Sequence, residues 1–145
     1  MQHYTLLRNN IQRYALYGNT MVILYNVTRY YVTVLNVISY MVILYNATRY
    51  NVTIYNVIRY YVVVHNVISY NVTIYNVIRY YGIVYSVTRY IVILYNVIRY
   101  YVVVFNVIRY DVTIYNVIRH NVTICNVIRY YEIIYNDMRY MVILW

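Results

Sequence analysis

From Met21 onward the sequence returns to itself every ten residues, on a template close to x-V-T-I-Y-N-V-I-R-Y; the copies Asn51 to Tyr60 and Asn71 to Tyr80 are identical. A fixed short period means that one structural unit is stacked many times over, so it constrains the fold before any single residue does. Within the decad lies a weaker period of five. Tyr fills nineteen of the 25 slots from Tyr25 to Trp145, and Val fills 21 of the 25 from Val22 to Val142. Asn holds eleven of twelve sixth positions, with Ser86 as the exception, and Arg holds ten of twelve ninth positions, with Ser39 and Ser69 in the other two. Residues 1–20 fit the template poorly and read as a non-repeat leader; residues 21–145 are the repeat domain.

A five-residue period suits neither straight element. On a helix successive Val slots advance by about 140°, so no apolar stripe forms, and Val, Ile, Thr, Tyr and Asn are indifferent helix formers. The same residues favour strands. In a straight strand, however, an odd period sends Tyr25 and Tyr30 to opposite faces. Hairpins need turn residues, and the repeats contain no Pro, one Gly and no Asn-Gly pair. A backbone that turns a corner every five residues accepts the period. Four pentads then make a coil of about twenty residues, and coils stack ~4.8 Å apart into a rod of roughly six turns, about 30 Å long. The expected class is all-β, a single-stranded four-sided β-solenoid. The alternative is a low-complexity, β-aggregating or poorly ordered chain.

The period resembles that of the pentapeptide-repeat proteins, a family of four-sided right-handed β-solenoids. Read as Tyr55-Asn56-Val57-Ile58-Arg59, the motif has its Asn and a following apolar residue, with Tyr where that family places a small inward residue. Read as Thr53-Ile54-Tyr55-Asn56-Val57, it has a small residue and a large central one, without the preceding Asn or Asp. The resemblance implies a scaffold and no catalytic residues.

Composition points the same way. The chain is 64% apolar and only 10% charged, with 27 Tyr among 145 residues, whereas an ordinary globular domain is about one quarter charged. Three carboxylates, no Gly-rich phosphate loop and no Ser–His–Asp set argue against an enzyme. No cofactor and no small-molecule substrate are expected. His3, His65, His120 and Cys125 have no metal-ligand spacing, so no metal site is expected, and the single cysteine permits no internal disulfide.

The net charge of +9 favours a polyanion such as nucleic acid as partner. The candidate contacts are Arg29, Arg49, Arg59, Arg79, Arg89, Arg99, Arg109, Arg119, Arg129 and Arg139, with Tyr rings near them as stacking faces for bases. The bland counterpart is an arginine edge that only keeps the rod soluble. Tyr61-Val62-Val63-Val64 and similar stretches are β-prone and uncharged, so self-association into fibrils is a further expectation. The Asn-x-Thr matches at Asn26, Asn46, Asn51, Asn71 and Asn121 follow automatically from the template and are read as accidental. The first residues lack the apolar core of a secretory signal, and no apolar run reaches the ~18 residues of a spanning helix. A cytoplasmic location is therefore the default. A membrane barrel lacks turns and a clean lipid face.

Differences between copies carry a second message. Tyr31, Asn51 and Asp111, or Val and its replacements Ala47, Gly82, Glu132 and Asp137, are single-base neighbours. That is how a 30-nucleotide tandem repeat drifts, and it supports a reading in which the repeat has no selected function. Glu132 and Asp137 stand near the C-terminus, either as a charged cap on the last coil or as frayed repeats.

Overall fold

The structure, a computed structural model, describes residues 2–8, 12–16 and 19–145, with side chains from residue 19 onward except that of Asp137. It is a β-solenoid of about six turns with no helix among the described residues. The elements are β1 (Gln2–Arg8), β2 (Gln12–Leu16), β3 (Asn19–Tyr25), β4 (Arg29–Leu35), β5 (Ser39–Asp137) and β6 (Tyr140–Leu144). All pairing between them is parallel. β5 is extended backbone winding through successive turns. Even the bends are hydrogen-bonded from turn to turn, as Thr48 N–H to Val27 O and Arg49 N–H to Thr28 O, both 3.0 Å, illustrate.

The register is twenty residues per turn. Met41 lies over Met21, Arg49 over Arg29, Tyr50 over Tyr30 and Val142 over Val122. The leader joins the same stack with a shorter turn, Gln2 opposite Asn19 and Gln12 opposite Tyr30.

Four bends per turn are present, and they are unevenly spaced. The first regular turn has seven-residue sides, β3 and β4, joined by short ends that bend at residues 26, 28, 36 and 38. The sequence predicts a corner after every fifth residue; instead each left-handed corner comes once in ten. Every sixth-position residue, from Asn26 to Asn136, has φ between 52° and 56°. Asn tolerates that region better than other non-glycine residues do, which is why a chain almost without Gly and Pro can turn this often. Ser86 adopts the same φ of 53° where Asn is missing.

Because the bends are uneven, the two Tyr slots of the decad are not equivalent. The second, fourth, seventh and tenth positions point inward. Tyr30 through Tyr110, at every tenth position, are at most 1% exposed, and they share the interior with the Val, Leu and Ile columns. The fifth-position Tyr lies outside, stacked on its equivalent one turn away. Tyr55, Tyr75, Tyr95, Tyr115 and Tyr135 keep ring centroids 4.8 Å apart and interplanar angles of 1–4°. The backbone ladder fixes that spacing, and the rings follow it.

Inside, the two Tyr columns meet across the core. Hydroxyls pair at 2.9 Å for Tyr60 and Tyr70, 2.8 Å for Tyr80 and Tyr90, and 2.9 Å for Tyr100 and Tyr110. Burial pushes these hydroxyls well above their ordinary pKa, so they remain neutral partners. Gly82 disturbs the column. A Cβ there would sit 3.2 Å from Tyr80 Cε1 and 3.2 Å from Val102 Cγ2, so neighbours have closed into the space a Val would fill. The Tyr60–Tyr80 rings are tilted by 54°, against 3° for Tyr30–Tyr50.

The two sides differ outside. One carries MVILY, MVILY, YVVVH, YGIVY and YVVVF at residues 21–25, 41–45, 61–65, 81–85 and 101–105. Its outward positions are Met, Ile, Val and aromatic, and it is here called face A. The other carries YVTVL, NVTIY, NVTIY, IVILY and DVTIY at residues 31–35, 51–55, 71–75, 91–95 and 111–115. Thr, Asn and Asp recur outward on this face B.

Candidate functional site

The ten candidate arginines do not form one stripe. A turn of twenty residues sorts them into two columns, each at the leading edge of one face. Arg59, Arg79, Arg99, Arg119 and Arg139 follow Ser39 along face A; Arg29, Arg49, Arg89, Arg109 and Arg129 run along face B with Ser69 among them. All ten are exposed or half-exposed. Like charges one strand spacing apart repel by about 1 kcal/mol per neighbouring pair even in water. Two features ease that repulsion on face B. Asp111 Oδ2 accepts from Arg109 Nε at 2.6 Å, and Ser69 removes one guanidinium from the file.

The substitution at Ser69 opens a hollow of about 470 Å³ between Arg49 and Arg89, lined also by Asn51, Asn71, Thr88 and Tyr31. Asn71 Nδ2 donates to Asn51 Oδ1 at 2.8 Å along its wall. Two cationic side chains on either side of a hydroxyl and an amide pair suit an oxyanion such as a phosphate.

The sixth-position amides form ladders on the two narrow ends. One runs unbroken from Asn36 through Asn56, Asn76, Asn96 and Asn116 to Asn136, each Nδ2 donating to the Oδ1 one turn below at 2.9–3.1 Å. The other joins Asn26, Asn46 and Asn66, meets Ser86, and resumes between Asn106 and Asn126. Among the Asn-x-Thr matches, Asn26 and Asn46 therefore sit on bends inside a ladder, while Asn51, Asn71 and Asn121 lie on the long sides.

The last turn holds a polar cluster that single-residue reading misses. His120 replaces Tyr in the buried column and is 0% exposed, its ring 5.1 Å from Tyr100 and 5.2 Å from Tyr140. Its Nδ1 is 3.3 Å from Glu132 Oε1, and Glu132 Oε2 accepts from the hydroxyls of Tyr130 and Tyr140. Burial lowers the His120 pKa to about 4, which leaves the imidazole neutral near neutral pH. The signal was in the template: a tenth-position change and a second-position change twelve residues apart face each other across the core. Glu132 is thus a partnered, largely buried group and not a frayed one. The Asp137 and His3 side chains lie outside the described residues.

Cys125 is a half-buried free thiol in the fifth-position column of His65, and no group of three or more His, Cys, Asp or Glu among the described residues could hold a metal ion. No helix among the described residues is long and apolar enough to cross a membrane. No family model, curated protein or solved structure was found to match the chain. The solenoid with its Tyr and Asn ladders fits a structural or scaffold role.

Proposed function

We propose that the chain is a non-enzymatic structural scaffold, a rigid rod that displays the same side chains at every turn. The observation that carries this reading is the unbroken amide ladder from Asn36 to Asn136 beside a buried Tyr column. Side chains that elsewhere bind or react are here tied to their own copies, turn upon turn. Kinship with pentapeptide-repeat solenoids belongs to the same reading; it rests on the stacked twenty-residue turn and the repeat period. A scaffold of stacked equivalents tolerates a change in length. Excising residues 71–90, one whole turn, should leave a β-rich circular dichroism spectrum and a cooperative thermal transition. Loss of both would defeat the reading.

A second reading is favoured by the hollow at Ser69: the Arg columns bind a polyanion such as single-stranded nucleic acid, with arginines on phosphates and Tyr rings under bases. Binding of a single-stranded oligonucleotide should then weaken steeply with salt. Arg49→Gln with Arg89→Gln should flatten the slope of log K against log salt by roughly 1 to 2, at about 0.7 per lost phosphate contact. Binding that ignores salt would end this second reading.

A further inference from the structure

We infer that face A is a homotypic interface, on which a second copy of the chain packs sheet to sheet. The inference goes beyond the scaffold reading and rests on surface chemistry alone. A parallel sheet is ordinarily covered on both sides, and strands covered on both sides read as continuous apolar runs. Face A has that pattern in Met41-Val42-Ile43-Leu44-Tyr45, Tyr61-Val62-Val63-Val64 and Tyr101-Val102-Val103-Val104-Phe105. Face B, with the same core behind it, alternates Val or Ile with Thr and Asn, the pattern of a sheet with one side in water. The difference lies only in outward residues, so the fold of the single chain does not require it.

The geometry of face A fits a partner of its own kind. A shallow hollow of about 380 Å³ runs over Met41, Ile43, Val63, Tyr81, Ile83 and Val103, with almost no polar lining. Between Met21 and Phe105 the outward first, third and fifth positions of this face hold no Arg, Asp or Glu. Seven-residue strands over five turns cover roughly 550 Å² per copy, or about 1,100 Å² for a pair. That passes the ~1,000 Å² at which specific interfaces begin.

Charge selects the orientation. The Arg59, Arg79 and Arg99 column lies at the start of each strand of face A, and His65, Tyr85 and Phe105 lie at the end. A two-fold axis parallel to the rod reverses the strands of the second copy. Each Arg column then meets the other copy's fifth-position rings, a cation–π arrangement. The other face-to-face two-fold would set Arg against Arg.

Sedimentation equilibrium of the full chain, from about 1 to 300 μM in 150 mM NaCl, tests this inference. A species of twice the 17.8 kDa chain mass is expected. Val63→Lys with Ile83→Lys should yield a monomer with an unchanged circular dichroism spectrum. Should that variant misfold, Val63→Thr with Ile83→Thr gives face A the chemistry of face B and should weaken dimerisation at least about tenfold. Thr53→Lys with Thr73→Lys, the same charge on face B, should leave the dimer intact. A wild-type chain monomeric throughout that range overturns the proposal. So does dissociation by the face B variant, or a monomer that floats with phosphatidylglycerol vesicles through face A. None of these results bears on whether excision of a turn is tolerated, so the two readings fail separately.

Discussion

The middle turns and the last turn are built from the same decad and obey different rules. From Val22 to Ile124 the inward second, fourth and seventh positions hold only Val, Leu, Ile, Ala47 and Gly82, and nearly all are sealed from solvent. In the last turn a second position becomes Glu132, its neighbours Tyr130 and Tyr140 are partly exposed, and Trp145 is 83% exposed. A middle residue has a turn on either side of it, so an inward carboxylate there would meet only apolar columns. A residue in the last turn has one such neighbour and open water beyond. Glu132 fits because Tyr130, Tyr140 and His120 supply its polar surroundings. Repeats that drift at the level of bases are therefore sorted by depth along the rod, a filter that comparison of the copies alone does not expose.

The sharpest way to break this contrast is to move the carboxylate inward. Val72→Glu places it in a slot 1% exposed and should destabilise the chain by about 3–5 kcal/mol, enough to lose the thermal transition. Glu132→Val should shift stability by no more than about 1 kcal/mol, because the freed Tyr hydroxyls reach water. Equal losses in urea melts would show that the last turn is as closed as the others.

Next in size is the hydroxyl pairing. Tyr60→Phe strands the Tyr70 hydroxyl in the core and should cost about 1–3 kcal/mol, while Tyr60→Phe with Tyr70→Phe should recover most of that loss. The coupling comes from a double-mutant cycle in denaturant; additive losses would mean that the 2.9 Å contact contributes nothing.

A smaller effect belongs to His120. Its folded pKa, about 4, lies below the unfolded value of about 6.5, so below pH 6.5 the unfolded chain binds a proton that the folded chain does not. Stability is fully present above pH 6.5 and should fall as pH drops from there towards 4. Thermal melts across that window should show the fall, and His120→Tyr should reduce it; an unchanged profile would place the pH dependence elsewhere. Smallest is Ser86→Asn, which closes the gap between Asn66 and Asn106. A gain of about 0.5–1.5 kcal/mol is expected in the same urea melts, and a loss would mean that Ser86 suits its corner better than the amide does.

Much of the architecture was legible because one-dimensional stacking leaves few choices. The twenty-residue turn, the like-on-like columns and the amide ladder all follow from the period and from the residues in it. The spacing of the bends was not legible, because a five-residue rhythm of Tyr suggests equal corners. In fact the left-handed conformation of Asn, once in ten, sets them. That also explains why Tyr55 and Tyr60 have opposite fates although the sequence treats them alike. The arginines were found as residues and misjudged as a single file, since alternate decads fall on opposite sides. The His120–Glu132 contact was hidden for a related reason: each change looks like noise in its own column, and only the cross-core geometry joins them.

A turn of two decads has an arithmetic consequence. The unit of duplication is one decad, and the unit of facial identity is a pair. Gain or loss of a single copy would keep the backbone continuous, yet every later segment would exchange sides, putting Thr and Asn where Met and Ile had been. Only changes by even numbers preserve the two surfaces. Parity of copy number, more than the wording of any one copy, decides whether such a rod keeps a greasy flank and a wettable one.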